Sequence, residues 1–527
     1  MIKIWLIMLL HLGALRRAPL VYMTVLKLRM LGKRVRAARQ FGALLAQSPY
    51  AYRLWIHHKN ANGHTCTLYN DARPIIAFVV AERLGPVVIM TLEHLRSERV
   101  EAFAIVDPLG GDIEAAVEAI DWNTHPWIMT INAGDRLAPG AVVAYQQAIA
   151  ETDCTVIYAD DDCVDAHGCR YAPHFKPDWN PELFGYYDYL TGACIIKADR
   201  REVEAVANTV DWASRLVARA VGGDGAHHLR AMLHHRALRP LLPTSPKPLR
   251  IDDPLPRITV AIATRNRHDL LRKCLEGVAN THYTNLEVIV VDNDSDDPET
   301  LDYLAAQDPA RIQIIRHAGP FNFSRINNRA VAMSSGELIC LLNNDIEVLD
   351  PKWLAIMATQ ALRDDVGAVG AQLLYPDGRI QHAGVAIGIG DATGHAHRFV
   401  RPEAEGYFRR HALPQFVSAV TAACLVVRRD RFLAVGGLDE VNFPVAFNDV
   451  DLCLRLNARG WQSFYEPRAV LIHHESVSRG HDRDPVGAAR FAGELAALQR
   501  IWHTDKIVDP YHHPQLSRAA EQFVVAI

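Results

Sequence analysis

Apolar and polar residues alternate along the second half of the chain in a pattern that predicts an α/β domain. Short runs rich in β-branched residues, typical of buried strands, are each followed by a stretch with apolar residues at helical spacing. The predicted strands are residues 257–264, 285–295, 311–318 and 337–345. The predicted helices between them are residues 268–280, 298–307 and 323–336. Strands and helices in this order are typical of a sheet with mostly parallel strands.

Polar side chains follow three of these predicted strands at the point where each strand ends. In an open α/β sheet, ligands bind outside the carboxyl ends of the strands. The polar residues there are Thr264, Arg265 and Asn266, then Asp292 and Asp294, then Asn343, Asn344 and Asp345. The pattern therefore predicts a ligand site at this edge of the sheet.

The first half of the chain repeats the same order of segments in weaker form. The recurring segments are residues 74–81, 100–108, 126–142, 191–200 and 209–220. Five matches in one order indicate two related α/β domains. The first copy has "VVAERLG" where the second has Thr-Arg-Asn, and it lacks both "GGLDE" and the acid just ahead of "VDL". We therefore expect the first domain to be degenerate and the second to carry the chemistry.

The expected organisation has five segments, because a Pro-rich run near residue 250 is typical of a linker. The segments are a basic helical N-terminal segment (1–65), a degenerate domain (66–240), a linker (241–256), a catalytic domain (257–480) and a C-terminal helical extension (481–527).

Composition narrows the class of protein without changing this picture. The 527 residues are 49% hydrophobic and 22% charged, as in folded proteins of two or three domains. A net charge of −4 argues against nucleic acid as a partner, which favours a strongly basic face. The nine cysteines are scattered, which indicates reduced thiols in a cytoplasmic protein.

The N-terminus is the compositional exception. Its apolar run, residues 4–15, is much shorter than the roughly 20 residues that span a bilayer. Eleven Lys or Arg residues precede the first acid, Asp71, and they alternate with Leu, Val and Met. Such a segment suits peripheral contact of residues 1–40 with the inner face of the plasma membrane. The alternative is a basic helix that packs against the protein's own acidic domains.

Taken together, these motifs resemble the family 2 glycosyltransferases, which have the GT-A fold. The resemblance covers residues 256–480 and, more loosely, residues 50–220. It is strongest to two-domain bacterial enzymes that build surface polysaccharides such as O-antigens. It implies two tandem GT-A domains with Rossmann-like, mixed but mostly parallel sheets. It also implies a nucleotide-diphospho-sugar donor, a Mn²⁺ or Mg²⁺ ion, inversion of the anomeric centre, and a surface-glycan or lipid-linked glycan acceptor.

The resemblance also assigns residues. Asn343, Asn344 and Asp345 match the D-x-D motif, with Asp345 in the metal-binding position. His473 matches a late histidine that often ligates the metal, and His474 is the adjacent candidate. The implied donor-binding residues are Thr264, Arg265, Asn266, Asp292, Asp294, Asn343 and Asn344.

The segment 447–455 matches the family's E-D-x-D-L-x-x-R motif. Asp449 falls where the catalytic base is expected, and Asn448 replaces the usual Glu. Gly437, Asn448 and Asp451 are expected in the acceptor site or its loop. For Asp449 and Asp451, the alternative role is ordinary capping of the helix. Arg455 is expected either to face the diphosphate or to pair with Asp451.

A lone Asp345 is compatible with metal binding, because Mg²⁺ often takes one or two carboxylates together with the substrate's phosphates. An Asn carbonyl and a His can complete such a shell, and the His favours Mn²⁺. The acidic cluster at residues 160–162 is expected to have a surface or interdomain role.

Two alternative functions stay open. One is a non-catalytic carbohydrate-binding or scaffold protein of a polysaccharide assembly complex. The other is a bifunctional enzyme in which Asp135 of the first domain also binds metal. A nicotinamide-dependent oxidoreductase is disfavoured, because no G-x-G-x-x-G follows the first strand.

Overall fold

The structure is a computed structural model that describes residues 2–32, 34–61, 73–222, 225–243, 245–251, 254–474 and 485–527. The chain forms two compact units. The first unit is Met1–Leu241 with His513–Ser517 and Val524–Ile527, and the second is Leu242–His512 with Arg518–Phe523. The expected boundaries near residues 65 and 480, and three residues of the expected linker, lie outside the described residues.

The first unit begins with helices and continues as an α/β sheet. Its helices are α1 (Ile2–Arg17), α2 (Pro19–Met30), α3 (Arg34–Ala46), α4 (Ala51–Ala61), α5 (Pro86–Ser97), α6 (Asp112–Ala119), α7 (Ala141–Glu151), α8 (Pro181–Tyr186), α9 (Arg200–Glu204) and α10 (Trp212–Val221). Its strands are β1 (Ile75–Val80), β2 (Glu101–Ile105), β3 (Trp127–Asn132), β4 (Arg136–Leu137), β5 (Val156–Val164), β6 (Arg170–His174), β7 (Cys194–Lys197) and β8 (His227–Arg236).

The second unit contains the strands and helices predicted from periodicity. Its helices are α11 (His268–Ala279), α12 (Pro298–Ala305), α13 (Phe323–Met333), α14 (Trp353–Ala361), α15 (Arg429–Ala434), α16 (Asn448–Asn457) and α17 (Pro485–Trp502). Its strands are β9 (Ile258–Thr264), β10 (Leu286–Asp292), β11 (Ile312–Arg316), β12 (Leu338–Asn343), β13 (Ile346–Val348), β14 (Val366–Leu374), β15 (Ile380–His382), β16 (Val385–Ile387), β17 (Thr393–His395), β18 (Gln415–Val417), β19 (Cys424–Arg428) and β20 (Gln462–His473).

The two large sheets share one topology. The first has the order β2-β1-β3-β7-β5-β8-β4, and the second has β10-β9-β12-β19-β14-β20-β13 with β11 added beside β10. Both sheets are mixed, with parallel pairs among the strands that come first in each sequence. The prediction of two tandem α/β domains from the sequence repeat is therefore confirmed.

The strands of the second unit are continuous apolar runs in the sequence because both faces of its sheet pack into a hydrophobic core. Successive side chains of a strand point to opposite faces of the sheet. Val260 and Ile262 accordingly pack into the core that includes Trp353 of α14, while Ala261 packs into the core that includes Ile326 of α13. Helices cover both faces, so nearly every position of the central strands β9 and β12 is buried.

The carboxyl ends of three parallel strands meet at one edge. Asp292 of β10 lies opposite Thr264 of β9, and Asn343 of β12 lies opposite Ala263. The polar residues that follow the strands in sequence are thus brought to the same side of the sheet, as the pattern predicted.

The N-terminal helices are apolar, but no single helix among the described residues is long and apolar enough to cross a membrane. The segments Lys3–Arg17 and Pro19–Met30 meet the criteria of length and composition only as a pair, and they are bent by 119° at the break between them.

Candidate functional site

A pocket of about 840 Å³ opens beside the ends of β9 and β12 in the second unit. Its size is within the usual range of small-molecule sites. Eight of the residues predicted for the site line it, namely Thr264, Arg265, Asn343, Asn344, Asp345, Asn448, Asp449 and His473. These residues come from four separate parts of the sequence, and the fold brings them to one cavity.

Asp345 and His473 form the predicted metal-binding pair of this pocket. The short strand β13 pairs with β20 so that Ile346 lies opposite His473. Asp345 Oδ1 consequently lies 3.2 Å from His473 Nε2. The Asp345 side chain is buried, and its Oδ1 faces the His473 ring. Burial alone favours the neutral acid, but the neighbouring His473 holds the pKa of Asp345 below its usual value, so the carboxylate is ionised.

Gln381 fixes the orientation of the His473 ring. His473 Nδ1 lies 2.6 Å from Gln381 Oε1, and Gln381 Nε2 donates to the His473 carbonyl at 3.4 Å. Because an amide oxygen only accepts, Nδ1 carries a proton. Nε2, which faces Asp345, is therefore the nitrogen that binds a metal ion when the ring is neutral.

The donor set of this pair fits a divalent cation. The buried Asp345 carboxylate and Nε2 of His473 lie 3.2 Å apart at one side of the pocket. Asn343 Nδ2 lies 3.3 Å from the same nitrogen, which places the Asn343 amide beside this pair. Carboxylate, amide and imidazole groups are ligands that Mn²⁺ takes, and oxygen ligands suit Mg²⁺.

Asp449 occupies the first turn of α16, on the wall of the same pocket. Asp449 Oδ2 accepts the backbone N–H of Ala422 at 3.0 Å, and Oδ1 accepts that of Val450 at 2.9 Å. Burial raises the pKa of Asp449 above its usual value, and the two backbone hydrogen bonds only partly oppose this. A carboxylate of raised pKa in a pocket is suited to accept a proton from a bound hydroxyl group.

Three predicted donor residues lie outside the pocket lining. The amide of Asn266 binds Asp296 through Nδ2 at 2.8 Å, and its Oδ1 accepts the backbone N–H groups of Asp296 and Asp297. Asp292 accepts the backbone N–H of Ser295 at 3.1 Å. Both side chains thus hold the loop that follows β10. Asp294 lies 3.1 Å from Arg316 at the same loop.

Gly437 and Asp451 also have structural contacts. Gly437 has a φ of +70°, and a Cβ there would lie 2.7 Å from Asn328 Oδ1, so a side chain would be strained and crowded. Asp451 pairs with Arg455 at 2.7 Å and accepts the Trp502 indole N–H at 2.9 Å. Of the two roles open for Arg455, the structure shows the pairing with Asp451. Neither Gly437 nor Asp451 lines the pocket.

His474, the alternative to His473, points elsewhere. Its Nε2 lies 3.0 Å from Glu347 Oε2, and its backbone N–H binds the Asp345 carbonyl at 3.0 Å. Adjacent residues of a strand face opposite sides, so only one histidine of the pair can face Asp345.

The first unit contains the topological counterpart of this pair with different partners. Arg136 of β4 lies opposite His235 of β8, as Ile346 lies opposite His473. Asp135, the counterpart of Asp345, faces the guanidinium group of Arg236, with Nε 3.9 Å from Oδ2. His235 Nδ1 instead lies 2.6 Å from Asp162 Oδ1. An arginine charge therefore lies beside the carboxylate of the first unit, where the second unit has the His473 ring beside Asp345.

The acidic cluster of the first unit is buried, so its expected placement at the surface is wrong. Asp160, Asp161 and Asp162 are each at most 1% exposed. They pair with basic groups that the strands and loops of the same unit bring to them, including the fully buried Lys176, 2.9 Å from Asp161. A run of three aspartates is tolerated in the interior because each charge has a partner.

Asp160, His228 and His513 lie close enough together to suggest a metal site, with ligand atoms within 4.8 Å of one another. The two ring nitrogens of His228 face Asp160 and Asp178, each at 3.0 Å. Burial lowers the pKa of His228, but the two carboxylates outweigh it and hold that pKa above its usual value. His513 Nδ1 accepts the backbone N–H of Gln515 at 3.0 Å, which leaves the proton on Nε2, facing Asp160. Both ring nitrogens of His228 and Nε2 of His513 thus face carboxylate oxygens as proton donors, in a hydrogen-bond network.

Comparison with known proteins identifies the family. Residues 259–432 match the family described as glycosyl transferase family 2. The second unit therefore contains a family 2 glycosyltransferase domain. The matched segment contains β9 to β12 and the Asp345 turn, and it ends before Asp449 and His473.

Two curated proteins match over most of this chain. It is 38% identical over 467 residues to the uncharacterized protein y4gI of Sinorhizobium fredii (strain NBRC 101917 / NGR234), covering 78% of this chain and 51% of that protein. It is 34% identical over 433 residues to the O-antigen biosynthesis protein RfbC of Myxococcus xanthus, covering 74% of this chain and 34% of that protein. The chain thus spans about half or less of the length of these curated relatives.

Among solved structures, the mannosyltransferase PcManGT from Pyrobaculum calidifontis, in complex with GDP-Man and Mn²⁺, aligns with a TM-score of 0.37 and 18% identity. That alignment covers 51% of this chain and 71% of the other.

Gln381 is a residue of this pocket that sequence reasoning missed. It lies 92 positions before His473, in the short strand β15. The available signal was weak: two polar residues, Gln381 and His382, inside an otherwise apolar run. A polar residue in such a run often has a buried partner, but the sequence does not name that partner.

Proposed function

We propose that the second unit is a metal-dependent inverting glycosyltransferase. It would move a sugar from a nucleotide-diphospho-sugar to a growing surface glycan or lipid-linked glycan. The observation that carries the proposal is one pocket lined by Asp345, His473 and Asp449, which supplies metal ligands and a proton acceptor together. The name of the M. xanthus relative, an O-antigen biosynthesis protein, supports an acceptor of the surface-glycan class.

At the donor end, Asp345 and His473 would hold Mn²⁺ or Mg²⁺, with an Asn343 carbonyl as a further ligand. When bound, the ion supplies positive charge to the departing diphosphate. Arg265, an exposed cation on the pocket wall, would bind the same diphosphate. Asn344 donates from Nδ2 to the Thr264 hydroxyl at 3.0 Å, which orients both side chains at the ends of β12 and β9. In this proposal Asn266, Asp292 and Asp294 act by shaping the loop beside the donor.

At the acceptor end, Asp449 would take the proton of the attacking hydroxyl group. The hydroxyl oxygen then forms a bond to the anomeric carbon while the bond to the diphosphate oxygen breaks. A base and a leaving group on opposite faces of the sugar give inversion at that carbon. The N–H groups of Ala422 and Val450 hold the carboxylate in place as it is protonated.

For the first unit we propose a role without sugar transfer, such as holding the acceptor. Asp135 is buried beside Arg236, and burial raises the pKa of Asp135 to about 6 despite that opposing charge. A carboxyl group that is partly neutral near pH 6 and has an arginine beside it is a poor metal ligand. This contrast with Asp345 disfavours the bifunctional alternative.

The proposal is tested by incubating the protein with UDP-, dTDP- and GDP-sugars and measuring release of the nucleoside diphosphate. We expect turnover of at least one donor that depends on Mn²⁺ or Mg²⁺ and is abolished by EDTA. Glycan binding that persists without metal-dependent turnover of any donor would instead support the non-catalytic scaffold.

We further propose that α1 and α2 contact an anionic membrane surface. Large apolar side chains of these helices face solvent, among them Trp5, Met8 and Leu20, which are 58%, 65% and 83% exposed. Both helices carry basic residues in their last turn, and neither helix has an acidic residue in its first turn. Apolar side chains next to cations are the features by which helices bind the surface of anionic bilayers. A cytoplasmic protein held at the inner face of the plasma membrane would meet a lipid-linked acceptor there.

The double variant Trp5→Glu/Met8→Glu should lose most of its binding to vesicles that contain phosphatidylglycerol. We expect at least a roughly tenfold weaker partition coefficient, because two apolar contacts are replaced by charges that the anionic lipid repels. Co-sedimentation measures it, and Leu241→Glu, at a residue 97% exposed outside these helices, is the matched control. Equal binding by wild type and double variant would contradict the assignment.

A further inference from the structure

The turn that carries Asp449 is held by a carboxylate that comes from the C-terminal helix. Glu494 of α17 is only 3% exposed. Its Oε1 accepts the backbone N–H of Val445 at 2.8 Å and that of Ala446 at 3.1 Å. Both of these residues line the catalytic pocket. Glu494 thus binds the backbone three and four residues ahead of the proposed base.

The turn itself has a conformation that needs support. Phe447, between Ala446 and the start of α16, has a φ of +60°, in the left-handed region that residues with a side chain rarely adopt. Residues held in such conformations persist when their surroundings fix them, and they cluster at functional sites. Asn448 closes the turn from inside, since its Nδ2 donates to the Val445 carbonyl at 2.8 Å.

A second and a third contact connect α17 to the same region. The Phe491 ring lies 5.4 Å from the Phe447 ring, one turn before Glu494 on the helix. Near the end of α17, Trp502 donates its indole N–H to Asp451 of α16 at 2.9 Å. The helix therefore fixes the turn ahead of the base and the helix behind it, while none of these contacts uses the Asp449 carboxylate.

We propose that Glu494 is a positioning residue, whose carboxylate holds the 445–447 turn so that Asp449 faces the acceptor hydroxyl. The inference rests on the proposed glycosyl transfer. A buried carboxylate is suited to this task, because it accepts two N–H groups at once and those charge-assisted hydrogen bonds are stronger than neutral ones. Without this carboxylate, the backbone N–H groups of Val445 and Ala446 lose their acceptor. The strained turn would then relax to another conformation.

Three variants test the role: Glu494→Ala, which removes the acceptor; Glu494→Gln, which keeps an acceptor oxygen; and Glu403→Ala, at an exposed glutamate of the same unit. Hydrogen–deuterium exchange of the peptide that contains residues 445 and 446 measures the contact directly and needs no substrate. We expect about tenfold faster exchange in Glu494→Ala, as for amides that lose their acceptor, and wild-type exchange in Glu403→Ala.

Turnover of the UDP-, dTDP- or GDP-sugar that the wild type uses best measures the consequence. In Glu494→Ala we expect kcat to fall roughly 100-fold with the donor KM within about twofold, since a misplaced catalytic group costs about that factor. Glu494→Gln should recover all but about threefold of the loss. If Glu494 contributed to stability alone, Glu494→Ala would lower the melting temperature and the active fraction. Its kcat per folded molecule would then equal that of the wild type.

The possible outcomes separate this proposal from the one it rests on. Unchanged exchange in Glu494→Ala, or faster exchange with an unchanged kcat, would overturn the positioning role. If the wild type turned over no nucleotide sugar, the proposed function would fail and the positioning role with it, while the exchange data would still show whether Glu494 holds the turn.

Discussion

Replacing Asp345 by asparagine is expected to lower metal-dependent turnover at least about 100-fold, while the same change at Asp135 leaves it within about threefold. Asp345 offers a buried carboxylate oxygen 3.2 Å from Nε2 of His473, the ring nitrogen that does not face Gln381. Asparagine keeps the shape and removes the charge, so the Mn²⁺ concentration needed for half-maximal turnover should also rise. The factor is that of losing one preorganised electrostatic contact in a transition state.

Asp135→Asn is the matched control, because Asp135 is the counterpart of Asp345 in the other sheet. Its Oδ1 accepts the backbone N–H of Ala237 at 2.8 Å, which asparagine can also do, so the variant should fold. Turnover with each donor across a Mn²⁺ titration measures both variants. Loss of activity in Asp135→Asn with full activity in Asp345→Asn would assign catalysis to the first unit.

Replacing Asp449 by asparagine should lower kcat by a factor of about 10² to 10⁴, the usual contribution of a general base, with the donor KM little changed. Asparagine keeps only one of the two oxygens that accept backbone N–H groups, so some loss of melting temperature is expected and kcat is compared per folded molecule. Steady-state kinetics and thermal unfolding of the same preparations separate loss of chemistry from loss of fold.

The same group sets the acidic limb of the pH profile. The base works only when ionised, so activity is lost as the pH falls through the pKa of Asp449. Because that pKa is raised, the limb should lie above the pH at which an ordinary aspartate titrates. A variant Asp449→Asn with wild-type kcat, or a wild-type rate that stays constant down to the titration range of ordinary aspartates, would sink the assignment.

Much of the fold was predictable because its signals are local. Strand and helix periods, the order of segments and the repeat all depend on residues a few positions apart, and both sheets have the predicted tandem arrangement. The polar residues after β9 and β12 were expected at one sheet edge, and Thr264, Arg265 and Asp345 do line a common pocket.

The predictions that concern single side chains depended on partners far away in sequence. Asn266 and Asp292 have the residue types expected of donor ligands, yet they bind the loop that follows β10. The aspartates at 160–162 were expected to have a surface or interdomain role, yet they are buried among basic groups of their own unit.

The sequence by itself determined the tandem α/β architecture, the family, and the aspartates that could serve as metal ligand and base. Tertiary structure alone decided which of them have the right surroundings. Gln381 selects the tautomer of His473 from 92 positions away, Arg236 lies beside Asp135, and Glu494 holds the turn ahead of Asp449. The physical reason is range: secondary structure follows short-range periodicity, whereas protonation and orientation depend on groups that only the folded chain brings within hydrogen-bond distance.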